Sequence, residues 1–276
     1  ALDGPAAGLE TYREGMAFSS RRGMDGPRIW SSAESTYCLY DLGLWDELLA
    51  LADEVQAESQ ARNWTQPASF TEPQRAKVLY LRGDLAAAVG VSAAILPAAQ
   101  EVGDPQLLIP ALEVQALLNI AGGRPAQAIE AIVEIERITA ETTPLIFSFA
   151  AELIRIACRA GDSALAHRLA DGNPAMPGRS DSIVVAGRAV IAETEGRLDE
   201  AASGHRDAAD RWAAYGSVPE QGLALVGQGR CLIALGRAGE ARDSLQNARE
   251  LFAGLGAVVP VAEVDDLLAQ ATARAS

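Results

Sequence analysis

Aromatic residues make up only 5% of this 276-residue chain, and it holds just two histidines and three cysteines. Scarce aromatics leave burial to Ala, Leu, Ile and Val, side chains that suit helices approaching one another closely. Cys38, Cys158 and Cys231 are far apart, odd in number and match no metal-ligand spacing, which argues against a disulfide framework or a zinc motif and fits a reducing compartment. His167 and His205 accompany no recognisable nucleophile or ligand pattern, and both read as surface or edge side chains. No catalytic residue, cofactor or metal is therefore expected; catalysis would need clustered carboxylates beside a buried histidine. Apolar runs approaching the roughly 20 residues of a membrane span are missing, as is a signal-peptide pattern, so a cytoplasmic location without membrane attachment is expected. The chain begins at Ala1 rather than Met, which reads as a piece of something larger. Alternating apolar and polar runs bounded by hairpin turns are absent too, which excludes a β fold.

Positive charge is also short. Lys plus Arg number 23 against 37 for Asp plus Glu, giving a formal net charge of -14 and a pI near 4.6. Such a molecule repels phosphate backbones, so nucleic acid is not an expected partner.

What is present is a period. Aligned glycines occur in CLYDLGLWDELLALA (Gly43), VLYLRGDLAAAVGVS (Gly83), LNIAGGRPAQAIEAI (Gly123), IACRAGDSALAHRLA (Gly161), IAETEGRLDEAASGH (Gly196) and CLIALGRAGEARDSL (Gly236). Their spacings of 40, 40, 38, 35 and 40 residues suit units of two helices with two short connections. Each glycine can take the left-handed conformation that ends the first helix of its unit. Five positions after it stand Leu48, Ala88, Ala128, Ala166, Ala201 and Ala241; all but Leu48 are small enough for paired helices to touch. Five positions before it stand Cys38, Val78, Leu118, Ile156, Ile191 and Cys231, all apolar and expected to be buried, the two cysteines as packing residues. Gly103-Asp104-Pro105, Asn173-Pro174 with Pro177-Gly178, Gly216 with Pro219, and Gly256 with Pro260 punctuate the second helices. Residues 1–23 read as a leading half-repeat, 24–256 as six units and 257–276 as a capping helix, its core near Val261 to Ala273, all within a single domain.

The phrases EGMAFSSRRGM, AESTYCLYDLGLWDELLALADE, QRAKVLYLRGDLAAA, DRWAAYGSVPEQGLALVGQGRCLIALGRAGEA and ARELFAGLGA resemble the C-terminal helical-repeat region of bacterial class III adenylate/guanylate cyclases that carry an ATPase module. They are also similar to repeat regions of large LuxR-type regulators. The resemblance covers nearly the whole chain and implies a right-handed, tetratricopeptide-like α-solenoid, used as a sensory or scaffolding arm while chemistry belongs to other parts. No phosphate loop of the GxxxxGKS/T form occurs. The units depart from the ideal 34-residue tetratricopeptide motif and lack its regular Trp and Tyr positions, so no binding residues are carried over.

A binding face follows from the 3.6-residue period, which brings positions nine, six and two before each glycine together on the first helices. On it stand Tyr37, Lys77, Val114, Leu117, Arg155, Arg159 and Arg230. Val114 and Leu117 form an apolar centre flanked by cations, which suits a protein or peptide segment with an apolar anchor and an acidic group. The expected function is a non-catalytic interaction or regulatory arm of a signalling protein. The alternative is an effector-sensing domain with one deep pocket in the concave groove.

Overall fold

The computed structural model describes residues 3–140, 149–172 and 179–275, which form fourteen helices and no strand. A leading helix, α1 (Gly4–Arg21), is followed by six helical pairs. These are α2 (Asp25–Asp41) with α3 (Trp45–Arg62), α4 (Gln66–Leu81) with α5 (Leu85–Val102), and α6 (Pro105–Ala121) with α7 (Pro125–Ala140). Then come α8 (Ala150–Arg159) with α9 (Ser163–Asp171), α10 (Arg179–Thr194) with α11 (Leu198–Tyr215), and α12 (Val218–Ala234) with α13 (Ala238–Gly254). The capping helix α14 (Val258–Ala275) begins three residues ahead of the expected Val261, and its start repeats that of α12 forty residues earlier.

The aligned glycines end the first helices as their backbone freedom predicts. All six have positive φ, from +70° at Gly123 to +90° at Gly83. In each, the residue after the glycine donates its N–H to the carbonyl five residues earlier, from Leu44 to Leu39 at 2.9 Å through Arg237 to Leu232 at 2.9 Å, which satisfies a carbonyl the helix would otherwise leave open. Pro125 opens α7, where a missing amide hydrogen is harmless. The Asp84 carboxylate accepts from the Ala87 N–H at 3.0 Å, so the Arg82-Gly83-Asp84 turn is also an N-cap. Gly103, Gly216 and Gly256 take positive φ between units. The Asn173-Pro174 and Pro177-Gly178 signals lie outside the described residues.

Leu48, Ala88, Ala128, Ala166, Ala201 and Ala241 are fully buried, as the small-residue column requires. The apolar column is buried from Val78 to Cys231, but Cys38 at its head is only partly buried. Gly227 and Gly229 lie inside α12, where a methyl group added at Gly229 would meet Leu245 at 2.6 Å. These glycines serve close helix packing. One expectation about apolar runs needs amendment: α5 is 18 residues long with a mean hydropathy of 1.5, long and apolar enough to cross a bilayer by length and composition. It packs between α4 and α6.

Curvature brings the two ends of the array together. Unit six returns to unit one, where α12 meets α2, and α14 likewise meets α4. The C-terminal turn of one first helix abuts the start of another five units on. Ser217 Oγ donates to Asp41 Oδ1 at 3.0 Å, and Arg82 Nε donates to the Leu255 carbonyl at 3.3 Å. Arg179, the first residue of α10, pairs with Asp41 at the end of α2. The solenoid is a short superhelix of about five units per turn, stitched where its turns meet, with the first helices around its lumen.

Candidate functional site

The lumen is a cavity of about 1300 Å³ reached by side chains of every first helix and of α1, α11 and α14. All five tyrosines of the chain, Tyr12, Tyr37, Tyr40, Tyr80 and Tyr215, line it, with Phe70, Phe149 and Trp212. A chain so poor in aromatics has placed over half of them on one surface. Burial holds the Tyr40 hydroxyl well above its usual pKa and raises Tyr12 to about 12, with Glu34 adding to the latter. These phenols stay protonated at neutral pH and offer both a ring face and a hydrogen-bond donor.

Charged side chains of the walls are mostly paired with one another. Lys77 reaches Glu113 on the next unit at 2.6 Å, both buried, with its ammonium 5.6 Å from the ring centres of Tyr40 and Phe149. Arg155 makes two parallel 2.8 Å bonds to Glu220 on α12 and a 2.6 Å bond to Glu152 on its own helix. Burial opposes its charge, but Glu220 and Glu152 outweigh burial and hold the guanidinium above its usual range. Arg179 lies 5.7 Å from the Trp212 ring centre while paired with Asp41, whose carboxyl burial pushes up against the pull of Arg179 and Ser217.

Farther along the lumen, Arg230 joins Glu193 at 2.7 Å and Glu263 at 2.8 Å. His205 Nε2 lies 2.8 Å from Glu193 Oε2. Although partial burial of Glu193 opposes its charge, bonds from His205 and Arg230 draw its carboxyl down to about 2. Burial lifts the neighbouring Cys231 thiol to about 12. The ligand atoms of Glu193, His205 and Cys231 lie within 4.8 Å of one another, a donor set that a metal ion could use. Arg230 already bonds both Glu193 oxygens and supplies the positive charge that the cluster needs.

Six of the seven residues on the sequence-derived face, Tyr37, Lys77, Leu117, Arg155, Arg159 and Arg230, line this cavity. Val114 does not; it is fully buried and packs with Ala76, Ala88 and Leu118. A step of 100° per residue separates it from Glu113, which α6 turns to the lumen together with Leu117. The histidine expectation divides: His167 is exposed beside Glu195, whereas His205 is 3% exposed and sits among lumen charges. Sequence columns missed Asp41, Glu113, Glu193 and Glu220 as the partners of the cations. They also missed Tyr40 and Tyr80, which stand in one column three positions before their glycines. Arg159, beside the Tyr80 hydroxyl, is the lumen arginine with no carboxylate at ion-pair distance among the described residues.

No family model matches the chain, and no curated protein matches it.

Proposed function

We propose that this chain is a ligand-binding domain that takes a small organic molecule into its superhelical lumen, in a regulatory rather than a catalytic role. The observation that carries the reading is the gathering of all five tyrosines on one cavity of about 1300 Å³. Aromatic faces and a few fixed polar groups converging in a concavity are the usual make-up of a small-molecule site, and this volume exceeds what one such molecule needs. Paired wall charges add fixed polar geometry to the site. An acidic peptide draws less support, because Lys77, Arg155 and Arg230 are each occupied by carboxylates of the same chain. A small ligand would also bridge residues from both superhelical turns, which gives binding a means of stiffening the array.

The experiment is a thermal-shift screen of metabolite-sized compounds against the protein, Tyr37→Ala and Leu117→Ala. A compound at a hundred times its dissociation constant contributes about 2.7 kcal/mol, enough for a rise of several degrees, and the substitutions should diminish it. Silence across a broad screen, or shifts that both substitutions leave intact, would remove the reading. A catalytic reading has one observation in its favour, the buried His205 beside Glu193. Against it, the nearby thiol is held near 12, and the thiolate rather than the thiol is the nucleophile.

A further inference from the structure

Seven carboxylates and five Lys or Arg cations line the lumen. Six of the carboxylates are held by cations: Glu113 by Lys77, Glu152 and Glu220 by Arg155, Asp41 by Arg179, and Glu193 and Glu263 by Arg230. Glu34, in the middle of α2, is the one lining carboxylate with no cation at ion-pair distance among the described residues.

Its surroundings are aromatic. The Trp30 Nε1–H donates to Glu34 Oε1 at 3.1 Å, and the Tyr12 hydroxyl lies against the same carboxylate. Phe70 meets the Trp30 ring edge to face with centroids 5.0 Å apart, and Trp64 stacks with the Trp30 ring at 6.1 Å. Tyr37 stands one turn along α2, turned to the same cavity and bonded to Gln74. Two donors leave a carboxylate with acceptor capacity to spare. Ring faces attract cations through their quadrupole, most strongly where water is excluded. An excess of two negative charges over positive ones in the lining, within a chain of net charge -14, works in the same direction.

We infer that this end of the lumen is a subsite for an organic ammonium group. The carboxylate of Glu34 meets the positive charge, and Tyr12, Tyr37 and Phe70, which line the cavity beside it, flank its alkyl substituents. This inference rests on the lumen being a ligand site, and it specifies that one end of the ligand is a primary or alkylated amine. An amine there would supply the cation that the protein supplies to every other lumen carboxylate.

The test uses choline and its uncharged carbon isostere, dimethylbutanol, titrated to millimolar concentration against the full chain and followed by saturation-transfer NMR. Glu34→Gln is the variant, since it keeps the shape and the acceptor oxygen, and an unchanged melting curve verifies its fold. Choline should bind at least about tenfold more tightly than the isostere, the effect of its positive charge against the Glu34 carboxylate and the ring faces. Glu34→Gln should erase that preference, and Arg159→Gln should leave it in place. Equal binding of the two probes, absence of choline binding, or a preference that survives Glu34→Gln would overturn the amine subsite. If a different compound still raises the melting temperature in a Leu117-dependent way, the lumen reading stands without it. Silence from choline and from the whole screen would overturn both.

Discussion

Glu193 holds its proton less tightly in the folded protein than in the unfolded chain, because His205 and Arg230 favour its anion. Its carboxyl moves from the ordinary 4.5 down to about 2, so the unfolded state takes up the proton first on acidification. Its contribution to stability is therefore full above pH 4.5 and is lost as the pH falls toward 2. Linkage puts that contribution at about 3 kcal/mol. Denaturant unfolding of the protein and Glu193→Gln should converge as pH drops through this window and diverge above it. Lys77 makes a different kind of prediction. Glu113 is 1% exposed, and Lys77→Met would leave it buried without its cation at a cost of about 3 to 5 kcal/mol. Adding Glu113→Leu should recover most of the loss, since apolar replacements of similar volume relieve the desolvation of both ions. A double-mutant cycle by thermal or urea unfolding measures this.

At the level of helices, the repeating glycine carries two separable duties. Gly161 and Gly43 both need positive φ, at +82° and +74°. A methyl group at Gly161 would meet nothing within 4 Å, whereas at Gly43 it would run into Leu255 of the adjacent superhelical turn. Gly161→Ala should therefore cost about 1 to 2 kcal/mol for the left-handed backbone alone. Gly43→Ala should cost at least about 1 kcal/mol more from overpacking, and comparative urea unfolding will show whether it does. Such capping glycines, with their six-residue hydrogen-bonded turns and small-residue columns, are local and periodic, which is why helix number and pairing were readable from the residues. Glu113 and Glu220 were not readable as lumen partners. They stand 36 and 65 residues from Lys77 and Arg155, and pairing across units or across the lumen depends on helix rotation and superhelical curvature. Val114 shows the same limit on a single helix, because α6 carries apolar residues on several faces and periodicity alone did not choose which faces inward.

For the whole molecule, the proposed ligand site rests on closure. Repeats related by small constant rotations can form an open rod or a tight superhelix, and here the contacts of Asp41 with Arg179 and Ser217, and of Arg82 with the Leu255 carbonyl, join the turns. Closure turns a concave strip of scattered charges into a walled cavity where ions pair across space and tyrosines from distant units face one another. Small-angle X-ray scattering of the purified chain tests this most directly. The closed superhelix predicts a radius of gyration of about 19 Å, the value for a compact body of this length, with a single-peaked distance distribution. A value above about 24 Å with a long tail, the signature of an extended array well beyond that compact limit, would contradict the closure and with it the lumen as a binding site.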